Sequence, residues 1–149
     1  MDHQIRSYMP ADLPDILSAW ESASEIAHSF LPEPFLIQER AAIQNNYLPT
    51  AETWVIEAQG TVIGFLSLLD NEIGGLFVHA EHHQMGAGTA LMGKAKQRHP
   101  VLEVEVFEKN LIGRKFYAKC GFNPISRHIH EQTGNALARL RFDSAEQGA

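Results

Sequence analysis

The segment Val62–Leu69, which reads VIGFLSLL, is apolar on both faces of an extended chain. A strand with one face in water alternates apolar and polar side chains, whereas one that does not alternate has to be covered on both sides. The segment therefore predicts a central strand, with pairing strands beside it and a layer of other elements over each face of the sheet. The rest of the chain has to supply those neighbours and layers.

His3–Tyr8 predicts a short first strand. Pro10, Asp12 and Pro14 mark a helix start, where proline and an acidic residue are both tolerated. Leu13, Ile16, Leu17 and Trp20 then share one helical face. Pro32 and Pro34 break that helix, and a second helix is predicted over Ile37–Tyr47. Trp54–Ala58 pairs with the central strand through a Gln59-Gly60 turn, and Glu72–Val78 is the next strand. A helix from about Gly86 to Arg98 leads to Val101–Phe107. This strand puts Val101, Glu103, Glu105 and Phe107 on one face and Leu102, Val104 and Val106 on the other. Asn110 is an N-cap for a helix with Ile112, Phe116 and Cys120 on its buried stripe, closed by Gly121. Phe122–Ile129 and Ala136–Phe142 form a last hairpin, and residues 143–149 a frayed tail. This order predicts an α/β (α+β) fold with one mixed sheet, in a single domain over 1–149.

The formal net charge of −6 argues against a nucleic-acid surface and leans toward a cationic or amine-bearing partner. A single cysteine, Cys120, excludes an internal disulfide. No apolar run approaches the ~18 residues of a membrane span, and no secretory leader is readable at the N-terminus. The expected location is cytoplasmic, with no membrane partner. His79, His82 and His83 lie in one short loop without Cys or Asp ligands, so no metal site is expected.

That loop opens the helix at Gly86-Ala87-Gly88, and three glycine-loop chemistries compete for it. A phosphate loop of the GxxxxGK[ST] kind fits from Gly88 to Lys94, but Ala95 stands where the magnesium-binding hydroxyl belongs. A dinucleotide fingerprint fits at Gly86 and Gly88, but Leu91 occupies the third glycine position. The third is a diphosphate cradle, in which the amides of residues 83–88 and the helix dipole face an anion. Taken alone, the turn is equally a tight strand-to-helix connection without a ligand.

A second stretch adds to it. Leu76-Phe77-Val78 is followed by His83-Gln84-Met85-Gly86-Ala87-Gly88. After one more strand come Asn110, Gly113, Phe116-Tyr117, Lys119 and Gly121-Phe122. Together these motifs resemble the GCN5-related N-acetyltransferase (GNAT) superfamily, in particular small bacterial members of the YjaB type. The resemblance is specific over about 62–122. Two departures stand out: His83 replaces the usual Arg or Gln, and Ala80 replaces a common proline. The charge of His83 would depend on pH.

The resemblance implies a mostly antiparallel sheet with two splayed parallel strands, 72–78 and 101–107, flanked by helices. It implies acetyl transfer from acetyl-coenzyme A to a primary amine by direct attack in a ternary complex. The cosubstrate-binding residues it implies are Leu76, Phe77, Val78, His83, Gln84, Met85, Gly86, Ala87, Gly88, Thr89, Asn110, Gly113, Phe116 and Tyr117. The Val78 amide is the implied oxyanion donor. Tyr117 falls at the general-acid position, although as a residue alone it reads first as a core aromatic beside Phe116. Glu72 falls at a general-base position, or is a plain charged residue at a strand start. His28, Phe30, Glu103 and Glu105 are implied at the acceptor site, which takes a small-molecule or peptide amine. Glu103 and Glu105 are also further candidates for the base, and His28 as a residue alone reads first as a surface histidine capping the helix. A homodimer is compatible with the family. The rival reading is a coenzyme A-binding sensor without turnover.

Overall fold

The computed structural model describes residues 3–147. Seven strands form one sheet in the order β1-β2-β3-β4-β5-β7-β6. They are β1 (His3–Ser7), β2 (Glu52–Ala58), β3 (Thr61–Leu69), β4 (Glu72–Val78), β5 (Val101–Phe107), β6 (Asn123–Ile129) and β7 (Ala136–Asp143). The segment that lacks alternation, β3, lies inside the sheet and is buried from Val62 to Leu68. The helices are α1 (Leu13–Ala27), α2 (Glu33–Ala42), α3 (Ala87–Arg98), α4 (Leu111–Lys119) and the short α5 (Ser144–Gln147). Among the described residues, no helix is long and apolar enough to cross a membrane.

All strand pairs are antiparallel except β4–β5, which run parallel and meet only at Glu72↔Glu103 and Ile73↔Val104. The register of β3 against β4 jumps from Ser67↔Gly75 to Leu68↔Ile73, which leaves Gly74 as an extra residue in β4. Such a bulge bends the strand that carries it. Past this point β4 stays with β3 to Val78, while β5 stays with β7 to Phe107. The two central strands therefore part, and a gap opens between them.

Each face has its own core. Ile16, Leu17 and Trp20 of α1 pack on Val55, Val62 and Phe65 on one side. Leu91, Met92 and Ala95 of α3 and Tyr117 of α4 pack with Ile56, Leu66, Ile73, Val104 and Val106 on the other. The α1 entrance is braced by Arg6, whose guanidinium holds both oxygens of Asp12 at 2.8 and 2.9 Å and also meets Glu57. Asp12 accepts the Met9 amide at 2.8 Å as well, and Arg6 keeps its carboxyl below the usual range.

Four details depart from the sequence reading. The second helix begins at Glu33 rather than Ile37, because Pro34 sits in its first turn, where a missing amide hydrogen costs nothing. It then widens into a π-turn over Ile43–Tyr47. In α4, Tyr117 is the buried residue, whereas Ile112 is half exposed and Phe116 and Cys120 are partly covered. The stripe is rotated because Asn110 and Gly113 turn inward (see below). Residues 144–147 form a helical turn rather than a frayed end.

A glycine in β3 generates a prediction. A Cβ on Gly64 would stand 2.7 Å from the Phe77 carbonyl oxygen. That atom belongs to the backbone of β4 and cannot yield without opening the strand pair. Gly64→Ala should therefore cost about 1–3 kcal/mol of stability, read as a lower urea midpoint.

Candidate active site

The gap exposes backbone on its β4 side. The His79 amide donates to the Ile63 carbonyl at 2.8 Å. Antiparallel strands alternate, so Phe77 and His79 address β3, while Leu76 and Val78 turn their amides toward the gap. The Leu76 and Val78 side chains belong to the core on the α3–α4 side. The Val78 carbonyl is taken by His83, whose Nε2–H donates to it at 2.8 Å.

The turn after β4 begins with a 3₁₀ turn over Ala80–His82. It proceeds through Gln84 at φ +64° and Gly86 at φ +85°, and α3 starts at Ala87. The first helical bond runs from the Ala90 amide to the Gly86 carbonyl at 3.0 Å. The amides of Ala87, Gly88 and Thr89 thus have no helical acceptor, and they collect at a positive helix end that fits an anion. Gln84 and Met85 are exposed beside them. The two glycines have different reasons. A Cβ on Gly86 would touch nothing, so the residue serves its left-handed φ, whereas one on Gly88 would lie 3.2 Å from the Phe116 ring. Close packing of α4 on α3, not approach of a phosphate, is what Gly88 visibly permits.

Asn110 caps α4 by accepting the Gly113 amide on Oδ1 at 2.9 Å. A Cβ on Gly113 would stand 2.5 Å from Asn110 Nδ2, so the pair requires the glycine. With Oδ1 committed, Nδ2 faces His28 Nε2 at 3.4 Å and has to donate. That fixes a neutral His28 with its proton on Nδ1. Burial agrees, and lowers the His28 pKa to about 4. Its ring meets Phe30, Phe77 and Phe107 edge-on, with centroids 6.1, 6.3 and 5.8 Å away. His28 and Phe30 from the end of α1 therefore close over Phe77 of β4 and Phe107 of β5, one ring on each side of the gap. Tyr117 is buried between Phe116 and Phe122, and burial raises its phenol well above the ordinary value.

The acidic residues gather at the end where β4 and β5 still meet. Arg139 of β7 holds Glu103 at 2.7 Å, both oxygens of Glu72 at 3.4 Å and Glu105 at 3.8 Å. His128 lies 3.4 Å from Glu105. Three carboxylates thus share one permanent cation. On α2, burial raises the Glu39 carboxyl.

Cosubstrate residues implied by the sequence thus fall into three neighbouring places: the β4 edge, the turn into α3, and the capped start of α4. His28 and Phe30 join the gap, while Glu72, Glu103 and Glu105 form a separate cluster. The sequence reading missed Arg139 and Phe107. The alternation of β5 already placed Phe107 beside Glu103 and Glu105. Arg139 needed the β5–β7 register, which no local pattern carries. Among the described residues, no group of three or more His, Cys, Asp or Glu is placed to hold a metal ion.

Comparison with known proteins places this geometry. The model of the acetyltransferase (GNAT) family matches residues 20–122. The peptidyl-lysine N-acetyltransferase YiaC of Escherichia coli (strain K12) is 31% identical over 130 residues, 87% of this chain and 89% of that protein. The peptidyl-lysine N-acetyltransferase YjaB of the same strain is 25% identical over 127 residues, 85% and 86% of the two chains. The solution structure of apo-form YjaB from Escherichia coli superimposes with a TM-score of 0.85 at 23% identity, over 95% of this chain and 98% of that one. The PaiA N-acetyltransferase of Thermoplasma acidophilum, in complex with coenzyme A, gives 0.71 at 21% identity, over 96% and 99%.

The half-buried imidazole generates a prediction about pH. His28 has a folded pKa of about 4, below the ~6.5 of an unfolded histidine. The unfolded chain therefore binds the proton first. The contribution is complete above pH ~6.5 and is lost as pH falls toward 4, by up to about 3 kcal/mol. His28→Phe keeps a ring in the cluster and removes the titration. Urea midpoints at pH 7 and 4.5 should converge more in the variant than in the native protein, and equal losses would place His28 in water.

Proposed function

The chain belongs to the acetyltransferase (GNAT) family and transfers acetyl groups from acetyl-coenzyme A to an amine, and we propose that its acceptor is the ε-amine of a lysine in a protein or peptide. The observation that carries the thioester half of this reading is the gap itself. A free strand edge at Leu76 and Val78 lies beside an anion-binding helix start, the pair of features an extended diphosphate-bearing thioester needs. Two relatives named peptidyl-lysine N-acetyltransferases support the choice of lysine. So does the surplus of carboxylate over guanidinium around Arg139, which attracts a cationic side chain. A sensor without turnover finds no support among relatives named as acetyltransferases. We read residues 1–149 as one such domain.

Bound acetyl-coenzyme A supplies a thioester carbon open to attack by the neutral amine. In this proposal the amides of Ala87, Gly88 and Thr89 hold the diphosphate, with the Gly86 turn beside them. The Val78 amide faces the carbonyl oxygen on which negative charge develops, and the Leu76 amide is left for the pantetheine arm. Tyr117 gives its proton to the departing sulfur. Its raised pKa keeps the phenol protonated, and the same apolar surroundings make the thiolate a stronger base. Glu72 takes the amine's proton through water, with Glu103 and Glu105 holding the acceptor's charge. Arg139 holds Glu72 in place through both of its carboxylate oxygens. His28 and Phe30 shape the apolar mouth through which the aliphatic part of the lysine passes.

A thiol-release assay over lysine peptides, free polyamines and amino acids tests the acceptor. Lysine peptides should give the highest kcat/KM, and a free polyamine ahead of every peptide would overturn the proposal. Tyr117→Phe tests the acid. The ring and its packing stay, so stability and acetyl-coenzyme A affinity should change little, whereas kcat should fall by ~10²–10⁴. Turnover within about twofold of the native rate would make Tyr117 a packing residue only.

A further inference from the structure

We propose that His83 is a positioning residue for the thioester end of acetyl-coenzyme A, rather than a contact for its diphosphate. The inference rests on reading the β4–β5 gap as the thioester site. Its basis is the peptide that joins Val78 to His79, the last of β4. The amide end of that peptide donates to the Ile63 carbonyl of β3 at 2.8 Å. Its carbonyl end points to the side where β5 would have offered an amide, but β5 leaves the pair after Val104. The ring of His83 fills the vacancy, with Nε2 at 2.8 Å. One peptide plane is thereby clamped from both sides.

The neighbouring residues are tied down in the same way, and none of the ties uses β5. The Ala80 amide donates to Ser22 Oγ of α1 at 3.0 Å, and the Glu81 amide donates to His79 Nδ1 at 3.2 Å. The His83 amide itself closes the 3₁₀ turn onto the Ala80 carbonyl at 3.2 Å. That turn brings a ring five residues onward back over the strand it left. With the plane after Val78 fixed, the amide before it keeps a constant direction into the gap.

The chemistry of the bond separates this role from a phosphate contact. A carbonyl needs only an N–H, which a neutral imidazole supplies, so the bond survives deprotonation of the ring. A phosphate contact would gain from the positive charge and would weaken as pH rises. The side-chain amide of glutamine carries an N–H as well, whereas alanine carries none.

The test compares native protein, His83→Gln and His83→Ala with two thioesters, acetyl-coenzyme A and acetyl-pantetheine, which lacks the diphosphate. His83→Ala should lose about five- to tenfold in kcat/KM with both, the worth of one neutral hydrogen bond, and His83→Gln should recover most of it. The pH dependence of acetyl-coenzyme A binding between 6 and 8 should be the same in native and His83→Gln. A loss confined to acetyl-coenzyme A, or a pH slope that vanishes in His83→Gln, overturns the inference. Hydrogen exchange of the free protein gives the answer without turnover. Residues 76–83 should exchange faster in His83→Ala than in the other two, and equal protection in all three would likewise overturn it. Failure of the native protein to use either thioester would count against the reading of the gap, and the exchange result would still decide the role of His83.

Discussion

One extra residue in β4 organises the site. The bulge at Gly74 lets β4 and β5 pair over two positions and no further. A continuous ladder would satisfy the Leu76 and Val78 amides with β5 and leave nothing to address a ligand. Parted strands leave those groups free in the middle of a sheet, where the surrounding core holds them rigid. A free edge at the rim of a sheet would expose the same groups with far less support. The gap is thus an internal edge, and the elements around it are arranged to flank it.

The two faces of the sheet divide the work. On one side α3 and α4 pack together through Gly88 and Phe116, and the start of each helix is turned toward the gap. On the other, the end of α1 brings His28 and Phe30 over Phe77 and Phe107. Asn110 joins the two sides: its oxygen caps α4 and its amide reaches the ring of His28. A change in the α4 cap is therefore felt by the aromatic cluster, through one side chain whose two ends have different duties.

Much of this was legible in the sequence, and the reasons differ by element. The absence of alternation in Val62–Leu69 placed β3 correctly, because covering both faces of a strand leaves a local signature. Asn110 and Gly121 read as helix ends because capping is also local. The rotation of α4 was not legible. Ile112, Phe116 and Cys120 satisfy a helical period as well as Gly113 and Tyr117 do, and only the contact of Gly113 with Asn110 decides between them. The start of α2 was missed because two prolines were read as a break, although proline is at ease in a first turn. The bulge, the Arg139 cluster and the bond from His83 to Val78 all depend on register or on a turn folding back. Such relations join residues that no short window contains together.

The narrow junction of β4 and β5 also bears on how the molecule holds together. Along the backbone, the sheet is two smaller sheets, β1–β4 and β5–β7–β6, stitched by two residue pairs. Side chains of Ile73, Leu76, Val104 and Val106 keep them in one core, but the hydrogen-bond ladder is interrupted along most of the seam. A chain of amides and carbonyls laid into the gap, such as a pantetheine arm, would act as a temporary strand and restore the missing rungs. Cargo and mortar would then be the same object, and a seam filled in this way would be tightest while the enzyme is loaded.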